Sequence, residues 1–340
     1  ISATVRCEAT MKEIDDEPYT YNAAAYIKSL YNSSTKTTVI NNSINYEYDT
    51  TNSLMKDVGG NIRYYGASPN NYIYFNCSDY SNQSSSTCET WRIIGTFGNK
   101  TKLIRNSSIG EYSWDNKDTS TGAKSAYGKN DWTDARLMKL LNQGYESETT
   151  GGSLYYNSGS GNCYSGQNNA TTACDFTSTG IKNDTTRNMI SDNTYSLLGW
   201  NNNSIYSNQI YEYERSTGSV YTGTPTSWTG KVGLAYVSDY GYAADLSKCT
   251  KQLGSYNDST CASNNWMKAI ITNNSTNASG WLLTHYYGDS CDTWRTYWAG
   301  NAGYSGAYYA FEVTPVLYLK YRISINSGTG TSSDPYQIST

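Results

Sequence analysis

Six of the eight cysteines in this chain fall into three pairs of nearly equal spacing, and each pair brackets a short, polar, turn-rich stretch. Cys77 and Cys88 enclose SDYSNQSSST, Cys163 and Cys174 enclose YSGQNNATTA, and Cys249 and Cys261 enclose TKQLGSYNDST. Such loops favour three local disulfides, each stabilising by about 3 kcal/mol through freedom removed from the unfolded chain. A zinc site would need closely spaced Cys-x-x-Cys pairs with histidine nearby; the chain has one histidine and no such pair. Three small staples constrain the chain to a loop-rich body and imply an oxidising, extracellular setting, secreted or on a cell surface. Cys7 and Cys291 are left over, and both pairing with each other and remaining reduced stay open.

The composition fits that setting. Only 16% of residues are charged and the net charge is -4, while 35 Tyr and 9 Trp supply much of the apolar surface. With no basic cluster, a general nucleic-acid binder is set aside. No segment approaches the roughly 18 consecutive apolar residues that a membrane-spanning helix needs. No leader is legible from Ile1 onward, so the leader or anchor of an exported chain is expected outside these residues.

Residues 1–58 read differently from the rest. EPYTYNAAAYIKSLYN sets Ala23, Ile27, Leu30 and Tyr31 on one face of a short helix. The Ser/Thr/Asn-rich connector after it reads as a stalk or a packed extension. From 59 to 340 the pattern suggests one compact domain. RYYGA and NYIYF predict a hairpin across SPNN, and WRIIGTF and TKLIRN predict a second around Gly98 and Asn99. NDWTDARLMKLLNQG predicts a helix with Asp131 as N-cap, Leu137, Leu140 and Leu141 inward and Gly144 as its stop. Asp184 to Trp200 predicts a weaker helix with Ile190, Leu197 and Leu198 inward, and 145–183 reads as an insertion loop tied by Cys163 and Cys174. KVGLAYVSDYGYA predicts a strand running into a turn, and the alternation of Leu317, Leu319, Tyr321, Ile323 and Ile325 predicts a half-buried strand. Strands and helices mix without a βαβ rhythm, so the expected class is α+β.

Catalytic patterns are sparse. His285, the one histidine, stands near Asp289, Cys291 and Asp292, a set that in principle activates a thiol, but an exposed histidine in a Tyr/Asp loop reads better as a binding or bystander residue. The pairs Asp15 and Asp16, Glu146 and Glu148, and Glu212 and Glu214 read as solvated loop faces rather than as the two carboxyls of a glycosidase. Asp239 and Asp245 lack the ligand density of a calcium loop. The expectation is therefore no catalytic residue, no metal and no cofactor; a secreted hydrolase would have to run through His285 or a carboxylate pair.

The segment HYYGDSCDTWRTYWAGNAGYSGAYYAF, residues 285–311, shows neither helical nor strand periodicity for long, yet WLLT precedes it and TPVLYLK follows. Tyr and Trp give rigid contact area, and Ser, Gly, Asn and Asp give adaptable hydrogen bonds, the mixture that binding loops use. Trp294, Arg295, Tyr297 and Trp298 crowd together with few charges to solvate them, and such a patch usually has a partner. The expected ligand contacts are Tyr286, Tyr287, Asp289, Ser290, Asp292, Arg295, Tyr297, Asn301, Tyr304, Tyr308 and Tyr309, with Trp294 and Trp298 as anchors. The ligand would be a protein or glycan on another cell or host surface, since stacking on Tyr suits both. Self-assembly through the same patch is the structural alternative.

The series from YYGASPNNYIYFNCSDYSNQSSSTCETWRIIGTF through KLIRNSSIGEYSWDN, NDWTDARLMKLLNQGY and WTGKVGLAYVSDYGYA to TPVLYLK and SGTGTSSDPY resembles a family of surface proteins from Gram-positive gut bacteria. Members often carry a pilin-like N-terminal anchor. The WRII strand and the closing WLLT and PVLYL pair are similar to C-type lectin-like folds of the formylglycine-generating-enzyme type, without a counterpart of those enzymes' catalytic cysteines. The resemblance implies a lectin-like domain over about 59–338 with an adhesin-like, ligand-binding role. That scaffold also carries the variable proteins of diversity-generating retroelements, in which adenine-directed mutation of Asn codons varies positions near the C-terminus. Such codons cannot yield Lys, Gln, Glu or Met, and none of these occurs from His285 to Phe311. Trp294 and Trp298 cannot arise that way and would belong to the framework. His285 and Thr314 stand where members more often carry Pro and Arg.

Overall fold

The computed structural model describes residues 22–116, 127–142, 153–164 and 171–339. It is a mixed structure of strands and short helices built on two sheets. In the larger sheet the strands run in the order Thr37–Asn41, Ile44–Asp49, Leu54–Lys56, Ile62–Tyr64, Glu89–Phe97, Lys100–Arg105, Val316–Tyr318, Val232–Gly233, with Tyr72–Phe75 also on Glu89–Phe97, and every pairing is antiparallel. Glu89–Phe97 lies in mid-sheet with both its faces covered: its residues 91–96 are all buried, Ile93 in one core cluster and Ile94 in another. The smaller sheet has the order Ala302–Gly306, Asp292–Thr296, Gly280–Trp281, Ala310–Glu312, Glu111–Ser113, with one parallel contact between Gly280 and Glu312. Leu103 and Leu317 pack with Ile27 in one core cluster, while Trp281, Trp114 and Trp132 anchor another.

Residues 22–58 do form the expected helix, Ala23–Ser33, with Asn22 as N-cap: its Oδ1 accepts from the Ala25 amide at 2.7 Å. Ile27 and Tyr31 are buried as the helical spacing demands, while Leu30 is only partly so. The connector is packed rather than a stalk: three strands extend the larger sheet without a break at residue 58. Their edge strand, Thr37–Asn41, leaves Ile40 69% exposed.

The hairpin around Gly98 and Asn99 forms as read, with Gly98 at φ +63° closing the turn. Other readings are corrected. RYYGA and NYIYF are not partners; Arg63 pairs with Gly95 and Tyr72 with Arg92, at opposite ends of the same central strand. The helix read from NDWTDARLMKLLNQG spans only Arg136–Leu141 and begins after Ala135. Asp131 instead closes a turn, accepting from the Thr133 amide and hydroxyl, because a short Asp side chain competes for nearby donors. Gly144 lies outside the described residues. Leu137, Leu140 and Leu141 are buried.

The second helix stops at Met189, and Asn193–Ser196 is a strand paired with Ser227–Gly230, since β-branched and aromatic residues there favour the pleat. VSDYGY is a helix, Val237–Tyr242, not a turn. The alternation from Leu317 to Ile325 crosses a turn: Val316–Tyr318 belongs to the large sheet and Ser324–Ser327 to a separate ribbon with Gln337–Ser339. Cys77 bonds to Cys88 and Cys249 to Cys261, as expected. Cys174 is disulfide-bonded too, on the ribbon Gly159–Tyr164 with Thr171–Asp175; Cys7 lies outside the described residues. Among the described residues no helix is long and apolar enough to cross a membrane.

Candidate binding face

The Tyr-rich segment is more regular than its sequence suggests. Asp292–Thr296 and Ala302–Gly306 form an antiparallel hairpin in which Trp294 faces Tyr304 and Arg295 faces Gly303. The apolar pattern is hidden because the buried positions are filled by Trp294, Thr293, Thr296, Ala302 and small glycines rather than by aliphatic residues. Two of those glycines give rings their place. A Cβ on Gly303 would meet the Tyr297 ring at 2.6 Å, and one on Gly306 would meet the Tyr308 ring at 2.5 Å. The backbone beyond the hairpin is held as well: the Ala307 amide donates to the Cys291 carbonyl at 2.7 Å, and Ser113 donates through its hydroxyl to the Tyr308 carbonyl at 2.9 Å.

The segment's aromatic residues form a continuous band across this scaffold. Tyr127 packs on Tyr308 with ring centres 5.2 Å apart, Tyr308 on Tyr309 at 4.2 Å, and Tyr309 on Phe311 at 5.8 Å. The Arg295 guanidinium then lies 4.5 Å from the centre of Phe311 and 3.6 Å from that of Tyr297. Arg295 is fixed by donating to Ser305 and Ser279 hydroxyls, at 2.8 and 2.5 Å. Tyr127 and Tyr309 are 48% and 46% exposed, and the other members are half-buried, so the band offers stacked faces and edges to solvent. Below it Phe311 rests on the buried Trp281, which ties the band to the core. A shallow groove of about 370 Å³ opens beside it, lined by Tyr127, Cys291, Asp292, Tyr304, Tyr308 and Tyr309 among others.

Of the expected contacts, Arg295, Tyr297, Tyr308 and Tyr309 thus come together in the band. Tyr304 and Asp292 reach only the groove. Tyr286 stacks on Tyr304 at 4.0 Å, and Tyr287 turns away to Trp200, itself stacked on Tyr213 at 3.9 Å. Asp289 serves its own loop, Oδ1 accepting from the Cys291 and Asp292 amides, and Ser290 lends its carbonyl to the Asn130 amide. Asn301 pins the hairpin tip through its carbonyl, which accepts from the Tyr297 amide at 2.8 Å. Trp294 is fully buried, its indole donating to the Trp200 carbonyl. Trp298 sits at the tip, 51% exposed and far from Tyr308, since the two stand at opposite ends of strands roughly 16 Å long. Tyr127 and Phe311 were not among the expected contacts. Tyr127 joins from a polar loop remote in sequence, and only its exposure marks it.

Two expectations are corrected. His285 is buried rather than exposed: a parallel bridge to Gly199 draws it in, and its Nε2 accepts from the Tyr221 amide at 2.9 Å. Glu212 is exposed, but Glu214 is fully buried, paired with Arg215 at 2.7 Å and accepting from the Ser238 amide and the Thr284 hydroxyl. Asp239 is likewise buried, between Lys102 and Arg63. Burial alone would raise its pKa, but the surrounding Lys102, Arg63 and Arg215 outweigh that and hold the carboxyl well below its usual range. Asp15, Asp16, Glu146 and Glu148 lie outside the described residues. Burial, and then the neighbouring Asp289, push the Asp292 carboxyl up to about 6. Asp289, Cys291 and Asp292 place three ligand-type atoms within 4.8 Å of one another, fewer than a closed metal site uses.

No family profile, curated protein or solved structure matches this chain.

Proposed function

We propose that this chain is a secreted or surface-displayed, adhesin-like binding protein on a C-type lectin-like scaffold, and that the band from Tyr127 to Tyr297 contacts its protein or glycan ligand. The band itself carries this reading. Six side chains packed in series and half-exposed give a ligand large contact area at little entropic cost, and the single cation within them is already oriented by two serines. The local disulfides fit an extracellular setting. The hairpin has the property a diversified face requires: buried Trp294, Thr293, Thr296 and Ala302 hold the backbone while the outward positions are free to differ.

Sequencing this gene in sibling isolates tests the reading. Substitutions are expected to concentrate in 285–311 at Tyr286, Tyr297, Tyr304, Tyr308 and Tyr309, to spare Trp294 and Ala302, and to match adenine positions in a nearby near-copy of the segment. Variation no greater there than in WRIIGTF or PVLYLK overturns the diversified face.

A second reading, a pilin-like subunit that assembles with copies of itself, draws on a different observation. Among the described residues Thr37–Asn41 is the edge of the larger sheet and carries the exposed Ile40, and an edge strand with no partner strand is a template for pairing with another chain. Sedimentation over a concentration series separates the two: a monomer throughout fits a displayed binding face, and growing assemblies that an Ile40→Lys substitution dissolves fit a subunit.

A further inference from the structure

The hairpin tip carries a second feature, separate from the aromatic band. Trp298 forms one wall of a cleft of about 410 Å³, whose other walls include Lys268, Ser263, Asn274, Ser275 and Thr276. The cleft shares no lining residue with the groove beside the band. Of the nine tryptophans in the chain, all among the described residues, Trp298 alone is exposed. The backbone beside it is held from beneath. The Tyr240 hydroxyl donates to the Gly300 carbonyl at 2.5 Å, the Gly300 amide donates to the Tyr297 carbonyl at 2.9 Å, and Gly300 takes φ +111°, which only glycine adopts without strain.

Lys268, from the helix Trp266–Ile271, also lines the cleft, its stem lying close to Gly300. It is half-buried, its amine has no hydrogen bond or ion pair with any described residue, and among the described residues no Asp or Glu lines the cleft. A compact ammonium with no counter-charge among the described residues favours an anion beside it. Around it the exposed Ser263, Asn274, Ser275 and Thr276 supply hydroxyl and amide groups. The buried Trp266 closes the floor, its indole N–H already donated to the Tyr64 carbonyl.

We propose that this cleft binds a sugar ring bearing a carboxylate. A flat, exposed indole matches the C–H face of a pyranose, short polar side chains match its hydroxyls, and Lys268 answers the one negative charge. The volume is at the lower end of small-ligand sites and suits one or two rings. An acidic peptide would also meet the lysine, but it would leave the hydroxyl-rich rim largely unused. The assignment stands on its own residues and not on the band.

The intact chain would be titrated with glucuronic, galacturonic and N-acetylneuraminic acids, with glucose and galactose, and with a tetraglutamate peptide. Tryptophan fluorescence and the indole N–H resonance of Trp298 give the readouts. At least one acidic sugar is expected to shift that resonance and to bind about tenfold more tightly than the neutral sugars. Lys268→Gln should bring acidic and neutral sugars to within about twofold of each other. Trp298→Ala should remove binding of both, Trp298→Phe should keep most of it, and Lys251→Gln, an exposed lysine outside the cleft lining, should change nothing. Both tip variants alter surface side chains, and circular dichroism checks their fold. The proposal is overturned if none of the three acids binds below about 10 mM. It is overturned equally if glucose or galactose binds as well as the acids, or if tetraglutamate binds more tightly than they do.

Discussion

Thr284 donates its hydroxyl to Oε1 of Glu214 at 2.5 Å, inside the molecule and one residue before the Tyr-rich segment begins. Glu214 also accepts from the Ser238 amide and pairs with Arg215, so one buried carboxylate fixes the root of the segment to the helix Val237–Tyr242. Glu214→Gln keeps the shape but removes the charge that offsets Arg215. A buried pair broken on one side costs about 3–5 kcal/mol, and because Arg215 is 25% exposed the loss is expected near the lower end. Urea denaturation measures it; a loss below about 1 kcal/mol would show that the root does not depend on this pair.

Gly199 bridges to His285, and a Cβ there would meet the His285 carbonyl oxygen at 1.9 Å. The obstacle is backbone, which cannot rotate aside. Gly199→Ala is expected to cost about 1–3 kcal/mol and to speed amide exchange at 285–287. Unchanged exchange there would mean that the segment is rooted elsewhere.

Asp292 gives a pH signature. Its folded pKa is raised to about 6, by burial first and by Asp289 second, so the native state holds this proton more tightly than the unfolded chain does. Its contribution to stability therefore falls as pH rises from about 4 to about 6 and is regained on acidification. Asp292→Asn should stabilise the protein at pH 7 by about 1 kcal/mol, a value reduced for the solvent that reaches this half-buried group, and should have little effect at pH 4. Thermal melts at the two pH values check this; equal shifts at both would place the cause outside titration.

Replacing Cys249 and Cys261 together by Ser opens a loop of separation 12 and is expected to cost about 3 kcal/mol. Both sulfurs are buried, so packing adds to the entropic loss. Equilibrium denaturation of the double variant beside the oxidised parent measures the loss, and a loss below about 1 kcal/mol would show that the loop does not depend on this staple.

How much of this was legible in advance depends on whether the deciding contacts are local. The cysteine spacings announced staples that form at Cys77–Cys88 and Cys249–Cys261, because a loop of that length brings its own ends together. The turn at Gly98 and the helix at Ala23–Ser33 were likewise written in neighbouring residues. The hairpin of 292–306 was not legible, since its buried side is built from Trp, Thr, Ala and Gly and lacks the aliphatic alternation that marks a strand. Nor could spacing tell that RYYGA and NYIYF would share one partner strand, or that Glu214 would be buried beside an exposed Glu212.

The sequence by itself determined the α+β character, the local staples and the place of the Tyr-rich segment between two core strands, because each follows from residues close together in the chain. Only the tertiary structure decided which of those tyrosines stand together. Tyr127 meets Tyr308 from a remote loop, and Trp298 is carried to the opposite end of the hairpin from Tyr309. The physical reason is that a shared surface is made by strand pairing and burial, and these join positions that no sequence window contains.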